Sequence, residues 1–278
     1  MKKIIIKKPF LPSIALFSAL AVISRFFQLA LNIEPETGFY KNPWDTANII
    51  FLIVLAVALA FGFVWYCLIK KAKGLPSGCK FDFTPLFSER ILLAAVAIGF
   101  AVNTFYEIFR IKNPFPDIMQ PQSIAAFAVL TTITSALCLV YFIVLSFIIE
   151  NMPAATSYLC VVTVAWIAFR VLRDFISFTT LFFVSENLLD IVYLCLLMIC
   201  MFSVCRMFAD ADTKKGYAIF TFFAPITIVL GFTLSIPAIL GFLCGFESVG
   251  ESDMFMHFVD LMLSVFMLRT GMHIYLEN

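Results

Sequence analysis

Apolar runs of about twenty residues recur along the whole chain, separated by short polar loops. A run of that length matches the hydrocarbon thickness of a bilayer when helical, and a soluble domain has no use for so many. Eight such runs are expected to be spans, at about 11–33, 47–69, 91–111, 122–149, 154–177, 187–208, 217–245 and 254–276. The eighth is the weakest, because His257, Asp260, Arg269 and His273 interrupt it. Composition agrees: 62% of the 278 residues are hydrophobic and 13% charged, where a soluble domain is nearer half and a quarter. The fold class expected is all-α, a polytopic transmembrane helical bundle. With no Pro/Ser/Gly-rich linker and no long soluble segment, the chain 1–278 reads as a single integral membrane domain.

Basic residues set the orientation, since Lys- and Arg-rich loops stay cytoplasmic. Lys2, Lys3, Lys7 and Lys8 precede span one; Lys70, Lys71, Lys73, Lys80 and Arg90 lie between spans two and three; Arg206, Lys214 and Lys215 lie between six and seven. The opposite loops hold only Lys41, Arg110 and Lys112. Both termini are therefore expected to be cytoplasmic and the protein to sit in the cell membrane. The N-terminus has the basic-then-apolar order of a signal peptide, with Ala19-Leu20-Ala21 as a cleavage candidate, but the apolar run continues to Ile33, so an uncleaved first helix is expected.

A net charge of +1 suggests neither a nucleic acid nor an acidic protein as partner; the bilayer itself is the partner expected, with a small polar or charged solute as a further candidate. The eight cysteines form no C-x-x-C pair and lie mostly in apolar runs, as small core residues do. Neither G-x-S-x-G, H-E-x-x-H nor a Walker sequence is present, and no cofactor is implied.

The chemistry is expected where charge enters the spans, because intramembrane charges are costly and usually functional. Residues at i, i+3, i+4 and i+7 share a helix face. Arg25, Gln28 and Asn32 form such a stripe on span one; Asn103, Tyr106, Glu107 and Arg110 on span three; Arg170, Arg173, Asp174 and Ser177 on span five. The shared spacing hints at repeated hairpins formed by spans 1–2, 3–4 and 5–6. The descending helices open with Asp45 and Asn48, with Glu186, Asp190 and Tyr193, and with His257, Asp260 and Ser264. All these residues fall in the outer halves of the spans, while the inner halves hold almost no charge except Arg269.

Two uses follow for Arg25, Gln28, Asn103, Tyr106, Glu107, Arg170, Arg173, Asp174, Glu186, Asp190, His257 and Asp260. They line an outward-facing polar vestibule that binds or transports a solute, or they form an ion-pair network that only holds helices together in a scaffold or accessory subunit. A weaker alternative is an intramembrane enzyme with His257 as base oriented by Asp260, or a metal held by Glu186, Asp190, His257 and Asp260. Span seven, with Pro225, Pro237 and a Gly241-x-x-x-Gly245 spacing, is expected to be a kinked packing helix, or a broken helix along a translocation path.

Overall fold

The structure, a computed structural model, describes residues 10–32, 41–42, 44–71, 87–112, 122–147, 158–180, 184–245 and 251–274, the side chains of some helix-end residues excepted. It is all-helical over these residues. The helices are α1 (Phe10–Leu31), α2 (Thr46–Lys71), α3 (Phe87–Lys112), α4 (Gln122–Phe147), α5 (Val161–Thr180), α6 (Val184–Phe208), α7 (Thr213–Leu243) and α8 (Glu251–Met272).

Seven of the eight are long and apolar enough to cross a membrane, and the exception is not the expected one. α8 qualifies over Met254–Met272, whereas α5 does not, because Arg170, Arg173 and Asp174 fall within its 20 residues. The outward faces are apolar as well: Leu52, Ile53, Leu59 and Phe63 on α2 and Phe105 and Phe109 on α3 are all exposed. Apolar surface on this scale calls for a membrane or a partner to cover it, and, with seven helices long and apolar enough to span a bilayer, it marks the chain as a multi-pass membrane protein.

The chain divides into two compact units, one of 1–80 with 212–278 and one of 81–211. In the first unit α7 is the organising helix, packed on α1, α2 and α8. It is buried over most of its length, which explains a sequence that is apolar on every side. It runs unbroken through Pro225 and Pro237. That continuity is the packing-helix arrangement of the two considered. Gly62 on α2 lets the backbones approach: a Cβ there would lie 3.6 Å from the Phe222 carbonyl oxygen and 3.7 Å from Pro225 Cβ. Phe61 stacks between Phe17 of α1 and Trp65 in the same layer.

The expected Gly241–Gly245 face does not form. α7 ends at Leu243, and Gly245 lies beyond it with φ 74°. Its N–H donates to the Phe242 carbonyl at 3.0 Å, so Gly245 terminates the helix in a left-handed turn and contributes no contact surface.

The second unit is the antiparallel succession α3, α4, α5 and α6, each packed on the next. Phe100 of α3 is its aromatic centre. Its ring lies 5.6 Å from Phe142 of α4 and 4.9 Å, edge to face, from Trp166 of α5. All three are fully buried, and edge-to-face geometry suits the ring quadrupoles. This packing clamps α3 to α5 one helical turn from the charged stripes.

Candidate functional site

Each unit carries a buried polar cluster of its own, and the two differ in kind. In the first, Arg25 of α1 donates through Nη1 to Gln28 Oε1 at 2.6 Å, and Gln28 Nε2 donates to Asn48 Oδ1 of α2 at 2.6 Å. Asn48 Nδ2 donates to the Asn42 carbonyl at 3.2 Å, and Asn32 Nδ2 reaches the same carbonyl at 2.9 Å. The Asn42 N–H returns a bond to Asn32 Oδ1. The Arg25 guanidinium also lies 5.7 Å from the Phe51 ring, within cation–π range. Arg25, Gln28, Asn32 and Asn48 are all buried. The i, i+3, i+7 stripe of α1 thus meets the opening turn of α2 through amides, and the result laces the hairpin together. Asn42, which joins three of these bonds, was not singled out from the sequence.

The second unit holds the ion pairs. Arg173 of α5 donates through Nη1 to Glu107 Oε1 of α3 at 2.8 Å and lies 3.2 Å from Asp174 through Nε. Arg170, one turn back, faces Asp174 at 3.7 Å, and its guanidinium sits 5.6 Å from the Trp166 ring. Exposure grades sharply across the group: the side chain of Glu107 is 1% exposed, those of Arg170 and Arg173 are 5% and 10%, and that of Asp174 is 29%. Among the described residues two guanidiniums and two carboxylates therefore meet in one cluster, sealed at Glu107 and open at Asp174. Partly sheltered charges such as these interact more strongly than the same pair in water.

Asn103, one turn before Glu107 on the same face of α3, is fully buried and donates through Nδ2 to Ser135 Oγ of α4 at 3.3 Å. Thr104 bonds the same hydroxyl at 2.9 Å. Tyr106 and Asp190 are half-buried, and Tyr193 is buried beneath Asp190 on α6. The side chains of Glu186, Ser177 and Arg110 lie outside the described residues.

His257 and Asp260 belong to the first unit, on α8. Asp260 is buried and its carbonyl accepts a bond from Ser264 Oγ at 2.8 Å, while His257 is half-buried. Among the described residues no three His, Cys, Asp or Glu side chains converge in the manner of metal ligands.

Sequence spacing picked out the charged face of α5 but not its continuation. The same face runs back through Trp166, Thr163 and Cys160, all buried, towards Cys138 and Tyr141 of α4 and Cys205 of α6. Such residues in an apolar run read as core, so only the three-dimensional arrangement joins them to the ion pairs. Comparison with known proteins assigns the chain to no family: no family model, no curated protein and no solved structure matches it.

Proposed function

We propose that this membrane protein binds a small polar or charged solute beside Arg170, Arg173, Glu107 and Asp174, and carries it across the bilayer. The reading is supported above all by the graded burial of that cluster, from Glu107 at 1% exposure to Asp174 at 29%. A carboxylate facing lipid is strongly disfavoured, so the exposed edge at Asp174 is best served by an aqueous approach. A purely structural pair has no need of one, since apolar side chains of similar volume hold helices together as well or better. A part-exposed carboxylate beside guanidinium groups suits a solute that brings a donor to Asp174, such as a zwitterion or a hydroxylated acid.

In this reading α5 crosses the bilayer with its charges turned onto α3, away from lipid. Eight crossings then follow, with both termini cytoplasmic and the charged cluster in the outer half. The cluster on α1 and α2 plays a different part. Its described bonds run between side chains and to the Asn42 backbone carbonyl within the hairpin, which favours a structural clamp there.

Purified protein tests the proposal by thermal unfolding against panels of small anions, cations, zwitterions and polyols. A ligand at about a hundred times its Kd stabilises by about 2.7 kcal/mol. One chemical class should raise the midpoint in wild-type protein and fail to do so in Asp174→Asn, each shift being read against that protein's own ligand-free midpoint. A panel in which no class stabilises the wild type contradicts the proposal.

A further inference from the structure

Besides Arg170 Nε, which faces Asp174 at 3.7 Å, four polar side-chain atoms of the second unit are buried and make no hydrogen bond of normal geometry among the described residues: Asn103 Oδ1, Trp166 Nε1, Thr163 Oγ1 and Tyr141 Oη. Leaving one such group unmet costs about 1–3 kcal/mol, and native interiors tolerate few. Four within one set of four helices call for a common partner.

They are also aligned. Asn103 lies one turn from Glu107, and Phe100 ties it to Trp166 through the edge-to-face contact at 4.9 Å. The Phe100 carbonyl accepts from Thr104 at 2.7 Å and from Ser135 at 3.4 Å, the hydroxyl that Asn103 also bonds. One turn before Trp166 on α5 is Thr163, beside the Cys138 thiol of α4. One turn further on α4 is Tyr141, beside the Cys160 thiol, which in turn lies beside Cys205 of α6. Because α4 and α5 are antiparallel, a step forward on one is a step back on the other, and the groups stay level. The file from Arg173 to Cys160 rises about 20 Å at 1.5 Å per residue, roughly two thirds of a hydrocarbon core of about 30 Å.

We infer that the second unit contains a proton path: bound water held by these groups, connecting the Glu107–Arg173 pair to the far end of α5. A buried water needs two to four hydrogen-bonding partners, and α3, α4 and α5 each supply polar atoms along this file. Trp166 offers only a donor and Asn103 Oδ1 only an acceptor, so these two anchor water. The hydroxyls of Thr163 and Tyr141 both give and take, and can pass a proton on. The proton balance is simple. Glu107 accepts a proton from the adjoining water and becomes neutral, while Arg173 remains cationic. Each water or hydroxyl along the file gives one proton to its neighbour and receives one from the other side. Nothing is oxidised or reduced. Neutralising Glu107 loosens its hold on Arg173 and leaves the cluster one positive charge richer, which couples proton arrival to the affinity for an acidic group. The inference rests on the solute-site reading for that coupling, and for the path itself it does not.

The test is proton flux in vesicles. Full-length protein is reconstituted with an internal pH dye, and a potassium diffusion potential set by valinomycin drives protons with no solute added. Wild-type vesicles should change internal pH faster than protein-free vesicles. Tyr141→Phe and Thr163→Val each delete one hydroxyl and keep the side-chain shape, so both should fold with near-wild-type thermal midpoints and lose the flux to the protein-free rate. Trp166→Phe, which removes the indole N–H, gives an independent third variant with the same expected loss. Wild-type flux equal to that of protein-free vesicles overturns the inference, as does undiminished flux in all three variants. Flux without stabilisation by any solute class defeats the solute reading alone; stabilisation without flux defeats the proton path alone.

Discussion

Replacing Arg173 by Ala tests the ion-pair geometry through its energetics. The side chain is 10% exposed and bonds a carboxylate that is 1% exposed, at 2.8 Å. Removal leaves Glu107 buried among helices without its donor. Breaking one partner of a buried pair costs about 3–5 kcal/mol, mostly the penalty on the stranded charge. The protein supplies its own control in Lys215–Asp212, an ion pair of nearly equal length, 2.9 Å, with side chains 73% and 42% exposed. Exposed pairs contribute about 0.2–1 kcal/mol. At about 2–4 °C per kcal/mol for a chain of this size, Arg173→Ala should lower the unfolding midpoint by about 10 °C and Lys215→Ala by about 4 °C at most. Scanning fluorimetry in one detergent, at one scan rate, measures both. The double variant Glu107→Leu/Arg173→Met replaces the pair by apolar volume and should recover most of the loss. Equal, small effects of Arg173→Ala and Lys215→Ala would refute the reasoning, because they would mean that water or headgroups solvate Glu107.

In the α1–α2 hairpin, Asn48→Leu removes the acceptor of the 2.6 Å bond from Gln28 and should cost about 1–3 kcal/mol, read as a lower unfolding midpoint; no change would mean that the amide lacing carries no stability. Gly62→Ala should be tolerated, since its Cβ meets neighbours at ordinary contact distance, whereas Gly62→Leu should overpack the α2–α7 contact by about 1–3 kcal/mol. Equal midpoints for the two variants would show that the helices are not in close approach. For topology, reporter fusions after Lys73 and after Asn278 should both read cytoplasmic; opposite readings would require an odd number of crossings between them and remove α5 from the spans.

The buried faces were legible in the sequence wherever charge or amide recurred with helical spacing. Arg25, Gln28 and Asn32, or Arg170 and Arg173, could face lipid only at great cost, and all are buried in the structure. Spacing alone was silent on what each stripe meets. The bonds described for the Arg25 stripe include ones to Gln28 and onward to Asn48, a link between two amides that charge spacing does not point to. The three stripes share a period and differ in chemistry, because the partner helix supplies amides in one case and Glu107 in another. α8 is the least apolar of the seven qualifying spans, as its sequence implies, but the helix that fails to qualify is α5. Over Met254–Met272 α8 carries the charges Asp260 and Arg269 half a span apart, whereas α5 concentrates Arg170, Arg173 and Asp174 within two turns. Trp166, Thr163 and Tyr141 stayed hidden because an indole or hydroxyl in an apolar helix looks like core until its hydrogen bonds are counted. Gly245 looked like part of a helix face because nothing in Gly241-x-x-x-Gly245 tells a packing glycine from a helix-ending one.

The most direct measurement of the solute site is made at Asp174, the open edge of the charged cluster. A single cysteine at 174, in an otherwise cysteine-free protein that still unfolds at the wild-type midpoint, is exposed to a membrane-impermeant thiol reagent from outside intact cells or vesicles. The thiol should react, and one class of solute should slow the reaction while the others leave it unchanged. A control cysteine at Asn103, fully buried in the structure, should stay unlabelled. A thiol at 174 that does not react from outside, or that reacts at one rate whatever solute is present, would contradict an outward-facing solute site at this cluster.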